Sequence, residues 1–433
     1  MFFREGLALV LKHKLIWKLI KKIGKRCSEV ILSAEEEMVL AFVASSINMD
    51  TTRLLELPVT RESWSIFNDL IRRQQLSSLV AGSVGKAGVP AEYAEPILVE
   101  GKRVCLQYYR LSWETRALCD LLEKEGMAPV VYKGCAAASY YPVPELRKSG
   151  DIDICVGEED AQRAADVLVR AGFLPEPGPA GSHHLCFRAR YGYEIELHRH
   201  LTKPFNNKNV DGVLLKVEEA MGKQRRMVSA LPGIDVPTME EAEFAFSLVI
   251  HMVQHQLRGG FGLRLLADWV TFLNAEHETN QIERLNSYLE EAGLMRFMSV
   301  VVVCCERWLG LAHERSAGLR LVQVDDDTVE QFMRDVVSAG EFGESIDTAL
   351  AAPEKATLGG FAREFHHQML IRHPRASKVV PIWPALWANT FFQFVRNNRK
   401  LRHISTIDVL KTAAKRGKAV NGLKLFETER RSK

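Results

Sequence analysis

The sequence has no Cys-x-x-Cys pair, no apolar run long enough to cross a bilayer, no internal repeat and no low-complexity tract. Each absence removes a class of protein. Of its eight cysteines, Cys27, Cys105, Cys119, Cys135, Cys155 and Cys186 are scattered, while Cys304 and Cys305 are adjacent in an apolar run. That spacing excludes a structural zinc site and a disulfide framework, and it points to reduced, buried thiols. A membrane-spanning helix needs about 20 apolar residues, and no such stretch occurs. Residues 1–26 are interrupted by lysines and lack a small-residue cleavage site, so no signal peptide is read there and a soluble, cytoplasmic protein is expected. A net charge of +3 over 433 residues is too small to require nucleic acid as an obligatory partner.

What is present is an ordinary globular composition, 47% hydrophobic and 26% charged, in a chain long enough for two or three domains. Near the start, Ala8, Leu15, Ile16, Leu19, Ile20 and Ile23 gather on one side of a helix, with Lys14, Lys18, Lys21, Lys22 and Lys25 largely opposite. Residues 5–26 therefore suit a peripheral contact with a membrane surface or partner. The plainer reading, and the preferred one, is a helix packed on the body with a solvated lysine face.

Three regions differ in period. Residues 1–100 form an N-terminal helical region, in which Ser33 and Glu36 make a capping pair before the apolar run Met38–Val43. Residues 101–235 form an α/β core. Within it Pro129–Tyr132 is a short strand, Asp151–Val156 alternates with period two, and Glu158–Ala171 is a helix closed by Gly172. His184–Ala189 and Tyr193–His198 follow as a hairpin. Residues 236–433 return to helix, with Met239–Gln256, Leu263–Asn274 and a buried Leu294–Leu309. The stretch 340–360 is the expected loop or linker. The aromatic run Trp383, Trp387, Phe391, Phe392 and Phe394 is expected to pack into a C-terminal core, and the basic tail 396–433 reads as a solvated surface.

The sharpest local feature is Asp151-Ile152-Asp153. Residues i and i+2 of a strand face one way, so both carboxylates project together. Like charges so close repel unless a cation separates them, and Mg²⁺ with phosphate oxygens is the natural occupant. Three neighbours strengthen this. Lys133-Gly134 closes the preceding strand, where glycine lets backbone approach a phosphate and the next helix start favours an anion. The strand Glu194-Ile195-Glu196-Leu197-His198 supplies further acids. Arg147 lies upstream, where it could hold a triphosphate or partner a carboxylate.

These residues resemble the nucleotidyltransferase superfamily, and within it the uncharacterised bacterial nucleotidyltransferase-like proteins of the NTP_transf_5 type. The matching segments are Val131-Tyr132-Lys133-Gly134, Leu146 through Ile154, Ala171-Gly172-Phe173, His183-His184 and Glu194 through His198. Downstream, His251, His255 and Leu263 through Asp268 look similar too. The resemblance implies an α+β, polymerase-beta-type mixed sheet core with flanking N- and C-terminal helical regions. It implies Mg²⁺ or Mn²⁺ held by Asp151, Asp153 and a third acid, with Glu196 chosen and Glu194 as the alternative. Lys133, Gly134 and Arg147 would bind nucleotide. The implied reaction moves a nucleoside monophosphate from an NTP to a hydroxyl of a small molecule, sugar or peptide. Gly134-Cys135 departs from the Gly-Gly or Gly-Ser common in the superfamily. A glycosyltransferase using its DxD for a nucleotide sugar, and a non-catalytic nucleotide-binding scaffold, are the competing readings.

Other polar residues are candidates to support the metal ligands from behind or to touch substrate. His251 and His255 share a helix face, but Met252 stands where a zincin needs glutamate, so a metalloprotease is excluded. A hydrogen-bonded pair, or an imidazole touching substrate, are the two readings. Arg264 and Asp268 have the spacing of an intrahelical ion pair. His198 shares the face of Glu196, and His183 and His184 could touch acceptor or nucleotide.

Overall fold

The computed structural model describes residues 32–340, apart from 53, 55–59, 178–182 and 190–191, with scattered residues between 366 and 392 and the stretch 422–427. The amphipathic stretch 5–26, nearly all of 340–360 and most of the basic tail lie outside the described residues.

The chain enters through helices α1 (Ala34–Asn48), α2 (Arg61–Arg73), α3 (Ser77–Val84) and α4 (Ala91–Lys124). The expected capping box starts α1: Ser33 Oγ accepts from the Glu36 amide at 3.2 Å, and Glu36 Oε2 accepts from the Ser33 amide at 2.8 Å. α4 runs unbroken through residue 100, where a domain boundary was expected, because its apolar spacing continues from Ile97 through Val104, Leu111 and Leu118. One apolar core holds residues from Leu32 to Phe426, so the helices before and after the sheet share it.

Next come β1 (Val130–Val131), α5 (Gly134–Ala138), β2 (Asp151–Cys155), α6 (Glu158–Arg170), β3 (Leu174–Glu176), β4 (His184–Arg188), β5 (Glu194–His198) and α7 (Lys208–Lys223). The strands form one mixed sheet in the order β1-β2-β5-β4-β3, with β2 and β5 parallel and the other pairs antiparallel. Alternation does the sorting. Ile152, Ile154, Ile195 and Leu197 are buried, which leaves the acids of β2 and β5 together on the other face. α4 packs on β2 and α6 on β5.

A second hairpin, β6 (Arg226–Leu231) with β7 (Ile234–Thr238), turns at Pro232-Gly233, where Gly233 has φ +80°. Thr238 Oγ1 donates to the Val131 carbonyl at 2.6 Å, fastening this hairpin beside β1. The helices α8 (Glu241–Arg258), α9 (Leu263–Asn274), α10 (Thr279–Ala292), α11 (Met295–Trp308), α12 (His313–Ser316) and α13 (Asp326–Ala339) complete the body. Buried Gln74 staples α2 to them: Nε2 donates to the Val336 and Val337 carbonyls, and Oε1 accepts from the Leu263 amide at 3.0 Å.

The aromatic run near the C terminus differs from expectation. Trp387 is 39% exposed and Phe392 76%, while Phe391 and Phe394 lie outside the described residues. Helical spacing states only that these rings share a face, and says nothing of what covers it. Among the described residues no helix is long and apolar enough to cross a membrane, and the described cysteines are free.

Candidate functional site

The parallel pairing of β2 with β5 sets Asp151 beside Glu194 and Asp153 beside Glu196. The two acids of β5 then diverge, since Glu194 is exposed and Glu196 half-buried. Asp153, only 2% exposed, sits at the centre. Its Oδ1 accepts from Lys133 Nζ at 2.9 Å and lies 3.0 Å from His198 Nε2, which is also 3.1 Å from Glu196 Oε2. The far side of that imidazole meets the Tyr132 hydroxyl, 3.0 Å from Nδ1. One ligand atom each from Asp153, Glu196 and His198 fall within 4.8 Å of one another. Lys133 and Tyr132 reach this point because they immediately follow β1, which pairs with β2.

Charge at the site is crowded and unevenly compensated. Burial alone would raise Asp153, yet Lys133 and the His198 hydrogen bond hold it well below the usual carboxylate range. Burial likewise opposes the cationic forms of Lys133 and His198, but the adjacent carboxylates keep both above their ordinary values. Glu196 is lowered against its own burial by His198. Asp151 is left over: burial, then the Asp153 charge, push its carboxyl up to about 6. Burial pushes the Tyr132 phenol well up, so it stays protonated.

The turn after β1 carries Gly134 at φ +52°, a left-handed conformation that suits glycine. A Cβ there would come within 3.6 Å of Ser149 Oγ and 4.0 Å of the Asp151 carbonyl. α5 has only five residues, so little aligned helix dipole backs this turn.

Arg147 is spent elsewhere. Its Nε and Nη2 bind both oxygens of Asp268 at 2.6 and 2.8 Å, its Nη1 donates to the Gly134 carbonyl at 3.3 Å, and both partners are buried. Tyr141 adds a hydroxyl to Asp268 at 2.7 Å. This corrects the expected Arg264–Asp268 helix pair. A buried carboxylate gains more from a planar, bidentate guanidinium than from a neighbour one turn away. Arg264 pulls on Asp268 from further off, and its Nη1 donates to the Lys148 carbonyl at 3.3 Å. It therefore bridges α9 to the approach of β2. His251 and His255 hydrogen-bond each other, Nε2 to Nε2, at 2.9 Å. Burial, then His255, Lys133 and Arg264, drive His251 well below its usual range.

Residues 60–310, more than half of the sequence, match the family model NTP_transf_5, described as uncharacterised nucleotidyltransferase. The chain belongs to this family. No curated protein matches it. The NTP_transf_5 match spans α2 through α11 and so takes in the whole sheet and every residue of the cluster. The mixed α+β architecture, with helices flanking a five-stranded sheet, is a nucleotidyltransferase-like fold. At that level this NTP_transf_5 chain is a nucleotidyltransferase.

The residues of the cluster fit a divalent cation. Two carboxylates and an imidazole, Asp153, Glu196 and His198, converge, and Asp151 outside that group has its carboxyl raised to about 6 by burial and by Asp153. Tyr132, and the closeness of His183 and His184 to His198, escaped sequence reasoning. Tyr132 carried a usable signal, as the residue next to Lys133 at the end of β1.

Proposed function

We propose that the chain moves a nucleoside monophosphate from an NTP to a hydroxyl of a small molecule, sugar or peptide, using a divalent cation. The observation that carries this reading is the in-register parallel pairing of β2 with β5, which stacks Asp153 on Glu196 beside Lys133 and the left-handed Gly134. Asp151, Asp153 and Glu196 would hold Mg²⁺ or Mn²⁺, which when bound neutralises triphosphate charge and stabilises the departing pyrophosphate. Lys133 is the side chain placed to exchange Asp153 for a phosphate oxygen. Gly134 lets its backbone approach the same phosphates. Arg147, fixed by Asp268, donates to the Gly134 carbonyl, so the pair orients this turn and leaves nucleotide contact to Lys133. His251 and His255, hydrogen-bonded to each other, are candidates to touch the acceptor. In the transfer, the acceptor oxygen bonds to the α-phosphorus as the bond to pyrophosphate breaks, and the hydroxyl proton passes to solvent. The setting proposed is the cytoplasm, without nucleic acid.

Purified protein given labelled NTPs, Mg²⁺ and candidate acceptors should release pyrophosphate. A wild-type rate no higher than that of an Asp151→Ala/Asp153→Ala variant would sink the proposal.

One observation favours a second reading, a nucleotide-binding scaffold without turnover: Lys133 already pairs with Asp153, and His198 hydrogen-bonds it. Calorimetry that finds NTP binding with no pyrophosphate release would select it. The glycosyltransferase reading needs a Rossmann-like unit before the DxD. Among the described residues that region holds helices and the two-residue β1.

A further inference from the structure

Three imidazoles converge on the carboxylates from the side of β4. The antiparallel pairing of β4 with β5 puts His184 directly opposite His198. The chain bends just before β4, and the His183 carbonyl accepts from the Arg199 amide at 2.9 Å, which brings His183 over the end of β5. Ring centroids lie 4.5 Å apart for His183 and His184, 5.3 Å for His183 and His198, and 5.1 Å for His184 and His198. One nitrogen from each ring lies within 4.8 Å of the other two. Glu196 Oε2 stands at the edge of this group, 3.6 Å from His184 Nδ1 and 3.1 Å from His198 Nε2. Ligand atoms around a tetrahedral ion with bonds of ~2.1 Å are separated by about 3.4 Å, close to both of these distances.

His183 Nδ1 is buried with no hydrogen-bond partner. A buried polar atom left so is costly, and its persistence calls for a ligand or a role. Behind the group, the Tyr132 hydroxyl steadies His198 from its other nitrogen, as the outer partner of a metal-ligating imidazole does.

We propose that His183, His184 and His198, with Glu196 Oε2 at the edge, form a second cation site for a nitrogen-preferring transition metal of the Zn²⁺ type. Imidazole suits Zn²⁺, Co²⁺ and Ni²⁺, whereas Mg²⁺ selects oxygen. This site borders the carboxylate site and shares Glu196 and His198 with it. Its existence rests on the imidazole geometry alone; its consequence rests on the function proposed above. A metal held here takes His198 Nε2 away from Asp153 and draws on Glu196 Oε2. It thereby sets how tightly the carboxylates hold their own ion.

The test uses the full chain stripped of metal and titrated with Co²⁺, with no nucleotide added, so failure of the transferase reading cannot mimic failure here. The expected result is a tetrahedral visible absorption that saturates at one ion per chain, is displaced by Zn²⁺ and resists a large excess of Mg²⁺. His183→Gln and His184→Gln should each weaken Co²⁺ binding by about 10-fold or more, with unchanged circular dichroism. Asp151→Asn should leave it intact. Equal Co²⁺ affinity in the His183→Gln/His184→Gln variant, or displacement by Mg²⁺, overturns the proposal. X-ray absorption on the Zn²⁺-loaded wild type needs no variant to fold: imidazole scattering supports the site, and an all-oxygen shell overturns it.

Discussion

Asp153 and Asp268 are both buried aspartates with cationic partners, yet their surroundings differ in kind. Asp268 accepts from a bidentate Arg147 and the Tyr141 hydroxyl, and the largest influences on it besides burial are cations and that hydroxyl. Asp153 shares its donors. Lys133 and His198 serve it, His198 also serves Glu196, and Asp151 stands nearby with its carboxyl pushed up to about 6. A closed ion pair of the first kind holds two parts of a molecule in place. An over-subscribed cluster of the second kind leaves its acids competing for donors, and perturbed carboxyls of this sort collect at functional sites.

The contrast can be broken by substitution. Asp268→Asn should cost about 3–5 kcal/mol in chemical denaturation, because it strands a buried guanidinium. Arg147→Met/Asp268→Leu should lose less than Asp268→Asn alone, and a larger loss would mean that the pair does more than hold its own charges. With its folded value lowered, Asp268 contributes stability that is complete above its unfolded value near pH 4 and is lost as the pH falls further. Asp153→Asn should differ in activity: pyrophosphate release should fall on the order of 100- to 1,000-fold, beyond the stability lost with its own lowered carboxyl, whereas Asp268→Asn should slow release only as far as it unfolds the protein. If the two variants lose activity only in step with their denaturation midpoints, the two aspartates belong to one class.

Asp151 sharpens the comparison through pH. Its folded value lies above its unfolded one, so the native state binds the extra proton and metal-free stability declines as pH rises from about 4 to about 6. Asp151→Asn should therefore stabilise the metal-free protein by about 1–3 kcal/mol at pH 8, with no gain at pH 4. Thermal melts at the two pH values check both the sign and the window. The smallest effect is expected at Glu194, which is exposed and outside the cluster. Glu194→Gln should change the rate of transfer by no more than about two-fold, against a loss near that of Asp153→Asn for Glu196→Gln.

Period-two and period-3.6 patterns made much of this architecture readable in advance. α9 follows its predicted limits, β2 and the β4–β5 pair lie where alternation put them, and Gly172 ends α6 as a glycine with φ +92°. The β6–β7 hairpin went unread even though Pro232-Gly233 between two short β-rich runs is a turn signal. Long-range partners were the harder loss. Arg147 and Asp268 are 121 residues apart, and no local spacing joins them. The i, i+4 spacing of Arg264 and Asp268 instead pointed to a neighbour that the buried carboxylate does not use for its close bonds. Among the acids, the strand pattern left Glu194 and Glu196 equivalent, and their burial and the bond from His198 separate them. His183 and His184 looked like isolated histidines because their meeting with His198 depends on strand register.

That register carries a consequence for how such proteins can diverge. Asp153 and Glu196 face each other because one ladder fixes β5 against β2. The connection between them, through α6, β3 and β4, can grow, shrink or be rebuilt without disturbing that alignment. One residue gained or lost inside β5 would exchange Glu196 for Leu197 and turn His198 away from the acids in the same step. Comparisons among relatives should therefore find length variation confined to the connection and none within these two five-residue strands.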